Sequence, residues 1–372
     1  MPLADLSTVK HRVQLGSPLP FHVRDGHGKL LLARGQVVAS EAQLQALCER
    51  GAVIDLADLQ SAREEIMKAP REQLPRLWAG CMSQVSRTLR QTGGGFREAL
   101  AEATEPVQSL VERDPDLAIF QVLCRGHNDD AAYGAQRSMQ TAIAAMLVAQ
   151  RLGWEASQCE RLFKVALTMN LSMLELQGQL ARQRTPPSEQ QRSDLQSHPE
   201  RSVHILEQAG IEDADWLQAV RRHHEQEDGS GYPAGCTDVG ELASLARRAD
   251  VYTAKLSARR TRDALAADVA GRQMFMQDPG HPMTAALVKE FGIYPPGCYV
   301  RLASGELAIV VQRGPTITAP VVARLTNERG MPLPRPERLE TTARVHAVEA
   351  VVGEHSLNVR LPPDQLAALI AG

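Results

Sequence analysis

From Phe96 to about Phe291 the apolar residues recur at intervals of three and four, as with Ile143, Leu147 and Leu152 in one segment and Leu162, Val165, Ala166 and Leu167 in the next. Only an α-helix brings such positions onto one face, so this long stretch is expected to form a single all-helical domain. Within it Thr185-Pro186-Pro187-Ser188 breaks the chain, and Ser197-His198-Pro199-Glu200 is expected to begin another helix, with proline where its missing N–H costs nothing. The flanks read differently. Leu19-Pro20-Phe21-His22-Val23 and Lys29-Leu30-Leu31-Leu32 are strand-like around the turn Arg24-Asp25-Gly26-His27-Gly28, and Ser40 opens a short helix that Gly51 closes. Past the helical stretch, Cys298 to Leu302 and Leu307 to Val311 form a hairpin pattern, and the residues after Pro320 add a strand. The expected architecture is therefore multidomain and mainly α. It comprises a small N-terminal α+β module over 1–60, a linker helix over 61–95, the helical domain over 96–296 and a C-terminal β-rich extension over 297–372.

With 372 residues, 43% of them hydrophobic, the chain has enough apolar surface to bury a sizeable core across two or three domains. Lysine and arginine number 41 against 44 acidic residues, and the net charge of -3 supplies no general attraction to a nucleic-acid polymer or an anionic membrane. Aromatic residues make up 4% and do not interleave with basic runs, which argues against a stacking platform for single strands. The longest uncharged apolar stretch, Thr141 to Ala149, is far short of the roughly 18 residues that cross a bilayer. The start MPLADLSTVK lacks the apolar core of a secretory signal, and six dispersed cysteines without a CxxC pair fit a reducing compartment, so a cytoplasmic location is expected.

The densest chemistry lies in His223-His224-Glu225-Gln226-Glu227-Asp228-Gly229-Ser230-Gly231-Tyr232-Pro233. Two adjacent imidazoles and a set of carboxylates at a helix end, followed by a glycine-rich turn, offer nitrogen and oxygen ligands beside a rigid loop. A histidine pair alone would more often be a solvated helix face; the complete string is too specific for that. The isolated His127, His204, His281, His346 and His355 read as surface or capping histidines, Met139, Met146, Met169, Met173 and Met283 as core filler, and Arg221-Arg222 and Arg247-Arg248 as helix-surface charges.

The string HHExxDGxGYP resembles the signature of the HD-GYP subfamily of HD-domain phosphohydrolases. The similarity runs from about Asp129 to Pro320, through His198-Pro199, the segment Ala249 to Ala254 and Gly292-Ile293-Tyr294-Pro295-Pro296-Gly297. The resemblance implies an all-helical domain holding two or three iron or manganese ions and cleaving cyclic di-GMP to a linear dinucleotide and then to GMP. Such hydrolysis needs two cations held together by a bridging anion, to generate a hydroxide and to neutralise charge developing at phosphorus.

The family's metal ligands carry over in part. His198, His223, His224 and Asp250 remain, but the eponymous His-Asp pair has become Met169-Asn170, and a histidine of a Tyr-x-x-x-His helix has become Arg137, in Tyr133 to Ser138. A thioether suits iron(II) or manganese poorly, a neutral amide cannot bridge two divalent cations, and a guanidinium about 4 Å from a divalent ion costs on the order of 8 kcal/mol at an effective dielectric near 20. No cofactor is demanded by what remains, and the set allows at most one iron or manganese ion. Arg137 and Arg259 become candidate phosphate contacts. Two readings follow: a non-hydrolytic cyclic di-GMP receptor or protein-interaction module, or a phosphodiesterase working with one ion and with Glu225 or Asp228 as general acid or base. In the family the GYP loop, here Gly231, Tyr232 and Pro233, is associated with contacts to diguanylate cyclase (GGDEF) domains, which makes such a protein a further candidate partner.

Overall fold

A computed structural model describes residues 3–13, 15–16, 18–19, 21–55, 62–123, 130–258, 260, 263–353 and 361–372. The chain divides into two compact units, Met1–Lys68 and Ala69–Gly372. The first contains β1 (Leu3–Asp5), β2 (Val23–Arg24), β3 (Leu30–Leu32), α1 (Glu41–Glu49), β4 (Val53–Asp55) and α2 (Ala62–Lys68). Its strands form one sheet in the order β1-β4-β2-β3, and Val23 pairs with both Leu32 and Ile54. Leu6, Phe21, Val23, Val38, Leu44 and Ile54 fill its core. Ser40 caps α1 by accepting from the Gln43 amide, as its residue type predicts.

The second unit contains α3 (Leu74–Leu89), α4 (Phe96–Arg113), α5 (Pro115–Leu123), α6 (Asp130–Arg151), α7 (Ala156–Thr168), α8 (Leu174–Arg182), α9 (Glu189–Gln208), α10 (Ala214–Arg222), α11 (Glu241–Leu256), α12 (Ala267–Gln277) and α13 (Pro282–Phe291). The region read as a linker helix holds α2 and α3, and α3 packs on α4 and α6 with Trp78, Val85 and Leu89 buried. Helix α6 is the hub. It contacts α5, α7, α8, α11 and α13, and the run from Ala142 to Ala149 is wholly buried. Its approach to α8 is close enough that a Cβ on Gly134 would lie 2.2 Å from the Leu174 carbonyl oxygen, which demands glycine one residue after Tyr133 and three before Arg137.

After α13 come β5 (Tyr299–Leu302), β6 (Leu307–Gln312), β7 (Val321–Thr326), β8 (Pro332–Glu340), β9 (Val348–Val352) and α14 (Pro363–Ala371). The five strands are antiparallel in the order β8-β7-β6-β5-β9. This sheet belongs to the same compact unit as the helices. Arg313, just past β6, hydrogen-bonds Asp116 of α5 and Glu290 of α13, and Glu290 also accepts from Arg151 of α6. Helix α14, which the strand-like pattern of the tail did not suggest, packs on α3, α5 and β6. The protein is thus mainly α, with sheets toward both ends of the chain. Among the described residues no helix is long and apolar enough to cross a membrane.

One sequence reading fails at a telling place. Proline at position 199 suggested a helix beginning at Ser197, because a first-turn residue needs no N–H. Instead α9 begins at Glu189 under a capping box made by Ser188 and Gln191, and Pro199 lies inside it. A proline there cannot donate to the carbonyl four residues earlier, so the Leu195 oxygen is released from the helix ladder.

Candidate functional site

That released carbonyl has a new partner. His198 Nδ1 lies 2.6 Å from the Leu195 oxygen. A carbonyl only accepts, so Nδ1 carries the proton and Nε2 presents its lone pair. His223 repeats the arrangement by other means. It is the C-cap of α10, where last-turn carbonyls lack helical donors, and its Nδ1 lies 2.6 Å from the Val220 oxygen. The two Nε2 atoms face each other at 3.0 Å. His224 completes the cluster, with its ring centroid 4.2 Å from that of His223 and 5.0 Å from that of His198. One ligand atom from each of the three lies within 4.8 Å of the others. Burial, reinforced by mutual repulsion of the ring charges, pushes all three histidines down to about 3.

The loop after His224 is held by its own sequence. A Cβ on Gly231 would sit 2.5 Å from the Gln226 nitrogen, the Glu225 Cα and the His224 oxygen, so only glycine fits. Tyr232 then stacks on His224, at 4.6 Å between centroids and 14° between planes. Its phenol is raised above the ordinary tyrosine range by burial and by the nearby Asp250 carboxylate. Glu225 is fully buried and accepts from the backbone amides of Ala234 and Cys236 at 2.7 and 3.1 Å, so both its oxygens secure the loop. Asp228 accepts from the Ser230 amide and hydroxyl and lies against a second cavity of about 630 Å³ beside Arg247. Glu227 is the loop's other anchor. Burial would raise its carboxyl, but hydrogen bonds from Ser244 and Arg248 hold it at about 2.

Arg248 corrects a second expectation. It is 2% exposed, not a surface charge, and bridges Glu227 at 2.9 Å to Asp278 at 2.7 Å, with Thr284 alongside at 3.2 Å. Its partners lie 21 and 30 residues away, so its own neighbourhood in the chain gave no sign of them.

The remaining positions converge on a cavity of about 430 Å³ whose wall includes Arg137, His198, His224, Tyr232 and Asp250. Arg137, on α6, donates to the Asp250 carboxylate at 3.1 Å and to Ser257 at 3.2 Å. Met169 and Asn170 follow α7, fully buried, and neither lines this cavity; the Asn170 Oδ1 has no hydrogen-bond partner. Arg259 lies outside the described residues. Sequence reasoning missed Arg184, Tyr133 and Gln177, which also line the cavity. Arg184 sits beside Pro186-Pro187, a chain break that was visible, but nothing local indicated which way it faced.

These residues can be weighed against the metal centre that the fold implies. Three imidazole nitrogens fit one cation. They do not fit a carboxylate-bridged pair, because Asn170 is neutral and, among the described residues, the one carboxylate lining the cavity, Asp250, already carries a guanidinium.

Residues 123–269 match the HD domain family. Over 165 residues the chain is 32% identical to the cyclic di-GMP phosphodiesterase PA4108 of Pseudomonas aeruginosa, an alignment covering 43% of this chain and 39% of that protein. The chain therefore matches only about two fifths of the length of that curated relative. Among solved structures it is similar to Bd1817, a HDG"Y"P protein from Bdellovibrio bacteriovorus, with a TM-score of 0.50 and 14% identity over 77% of this chain and 98% of that one, a likeness of fold. The helical unit is thus built on an HD domain. With its HHExxDGxGYP loop, the chain is an HD-GYP domain protein.

Proposed function

We propose that this protein is a cyclic di-GMP signalling component that binds its nucleotide without hydrolysing it. The observation that carries the reading is the Arg137–Asp250 pair, 3.1 Å apart in the wall of the cavity. A guanidinium there neutralises the carboxylate that a second ion would need, and it offers a planar donor suited to a phosphodiester. Arg184 adds a second cation to the same wall, and the cavity admits a nucleotide-sized group. General acid or base help is equally wanting. Both oxygens of Glu225 are held by loop amides, and Asp228 faces the other cavity. A cytoplasmic location, and a GGDEF domain partner meeting the loop at Tyr232, belong to the same reading.

Calorimetry of cyclic di-GMP against the chain and its Arg137→Ala variant, with an assay for linear dinucleotide and GMP, tests it. The expected result is micromolar binding, about tenfold weaker in the variant, and no product. Turnover of cyclic di-GMP, with one ion per chain or with two, would establish the phosphodiesterase reading instead. If no nucleotide binds, a pull-down of GGDEF domains with the parent and with Tyr232→Ala decides whether the loop alone is functional.

A further inference from the structure

The second cavity, of about 630 Å³, shares Tyr232 and His224 with the first, and Arg247, Asp228, Val251 and Met274 also line it. Its charges are unevenly satisfied. Arg248 takes up Glu227 and Asp278, which leaves Arg247 and Asp228. Among the described residues Arg247 makes one long hydrogen bond, 3.5 Å to Glu227, and its Nε is buried with no partner. Burial and the neighbouring Arg248 charge both push its pKa down, so this guanidinium is desolvated without being compensated. Asp228 uses a single oxygen, Oδ1, for the amide and hydroxyl of Ser230, and Oδ2 is left to accept. A cation short of acceptors and a carboxylate short of donors thus share one cavity with a valine and a methionine. The complementary ligand is a flat ring with paired acceptors on one edge and paired donors on the next. Guanine is such a ring: O6 and N7 accept from a guanidinium, while N1–H and the amino group donate to a carboxylate. Adenine fails on both edges, since its N6 donates where O6 accepts and its N1 accepts where N1–H donates.

We infer that the second cavity reads guanine, with Arg247 on the O6/N7 edge and Asp228 on the N1/N2 edge, and that the base belongs to the same cyclic dinucleotide whose phosphodiester meets Arg137 in the first cavity. The inference rests on the receptor reading above. Continuity sets the ligand. Tyr232 and His224 form a wall common to both cavities, so a nucleotide with its phosphates on one side places a base on the other. Arg247 and Asp250 lie three residues apart on α11, about 4.5 Å along its axis, which brings the base-reading guanidinium and the Arg137–Asp250 pair within reach of one nucleotide.

The test is calorimetry of the full-length chain with cyclic di-GMP and with cyclic di-AMP, repeated for Asp228→Ala and Arg247→Gln. Expected are one cyclic dinucleotide per chain, a preference for guanine of at least about tenfold, and in each variant the loss of most of that preference while the affinity for cyclic di-AMP stays unchanged. A role confined to the fold would weaken both nucleotides alike. If Arg247→Gln fails to fold, Asp228→Ala decides on its own. Equal affinity of the parent for the two nucleotides overturns the inference and leaves the receptor reading standing, as does a guanine preference that survives Asp228→Ala. Two molecules of cyclic di-GMP per chain would show the cavities filling separately and would overturn it too. Binding of neither nucleotide would sink both readings.

Discussion

At one side of the cavity three neutral imidazoles crowd within 4.8 Å of one another, His198 and His224 in its wall and His223 behind them, and at another the Asp250 carboxylate rests against the Arg137 guanidinium. Both belong to a fold whose relatives include a cyclic di-GMP phosphodiesterase, yet they meet the need for positive charge in opposite ways. Arginine brings its cation covalently, so it cannot dissociate, exchange or activate water. The histidines bring none of their own. On the function proposed above, the arginine side serves recognition of an anion, whereas hydrolysis would require paired cations.

The largest effect that sharpens this contrast is acid sensitivity. All three histidines sit at about 3 in the folded chain, well below the ordinary value of about 6.5, so between those limits the unfolded state binds protons that the native state does not. Their contribution is complete above pH 6.5 and is lost as the pH falls. Between pH 6.5 and 5 the loss is on the order of 2 kcal/mol per histidine. Urea midpoints measured across this range in chelator should fall steeply, and His223→Gln should flatten the curve by one histidine's share. Equal slopes would mean that the imidazoles are protonated in the native state.

Next in size is Gly231→Ala. The new methyl meets backbone on three sides at 2.5 Å, and backbone cannot step aside, so about 3 kcal/mol of stability and the His224–Tyr232 stack should be lost together. On the guanidinium side, Arg137→Met strands Asp250 and should cost about 2 kcal/mol, of which Arg137→Met/Asp250→Asn should recover a large part. A double variant no better than the single one would show that Arg137 acts through packing and not through charge. Smallest is Asp228→Ala. Among the described residues its carboxylate accepts from its neighbour Ser230 and faces Arg247 across the second cavity, and no shift in the unfolding midpoint is expected.

The contrast itself was partly legible in the chain. The string from His223 to Pro233 and the apolar periodicity indicated a helical domain bearing this loop, because both are local patterns. The substitutions Arg137, Met169 and Asn170 were visible as departures from a family pattern. What they do was not, since the Arg137–Asp250 contact joins residues 113 apart. Pro199 was misread because its usual place is a first turn, and only the position of His198 beside it shows why a mid-helix proline is useful. Arg248 was misread because its carboxylate partners, Glu227 and Asp278, lie on other elements. The N-terminal hairpin, the Ser40 cap and the strands from Tyr299 onward followed from turn and cap chemistry, which acts over a few residues.

Arg248 also bears on how the loop can respond to anything that touches it. Glu227 belongs to the loop, Asp278 and Thr284 to the corner where α12 gives way to α13, and one guanidinium grips them both. Pulling the loop outward would uncover a cation that is now 2% exposed and strip it of a carboxylate. The loop and that distant corner therefore travel as one body or stay put, and a partner pressing on either would be felt at the other without a hinge between them.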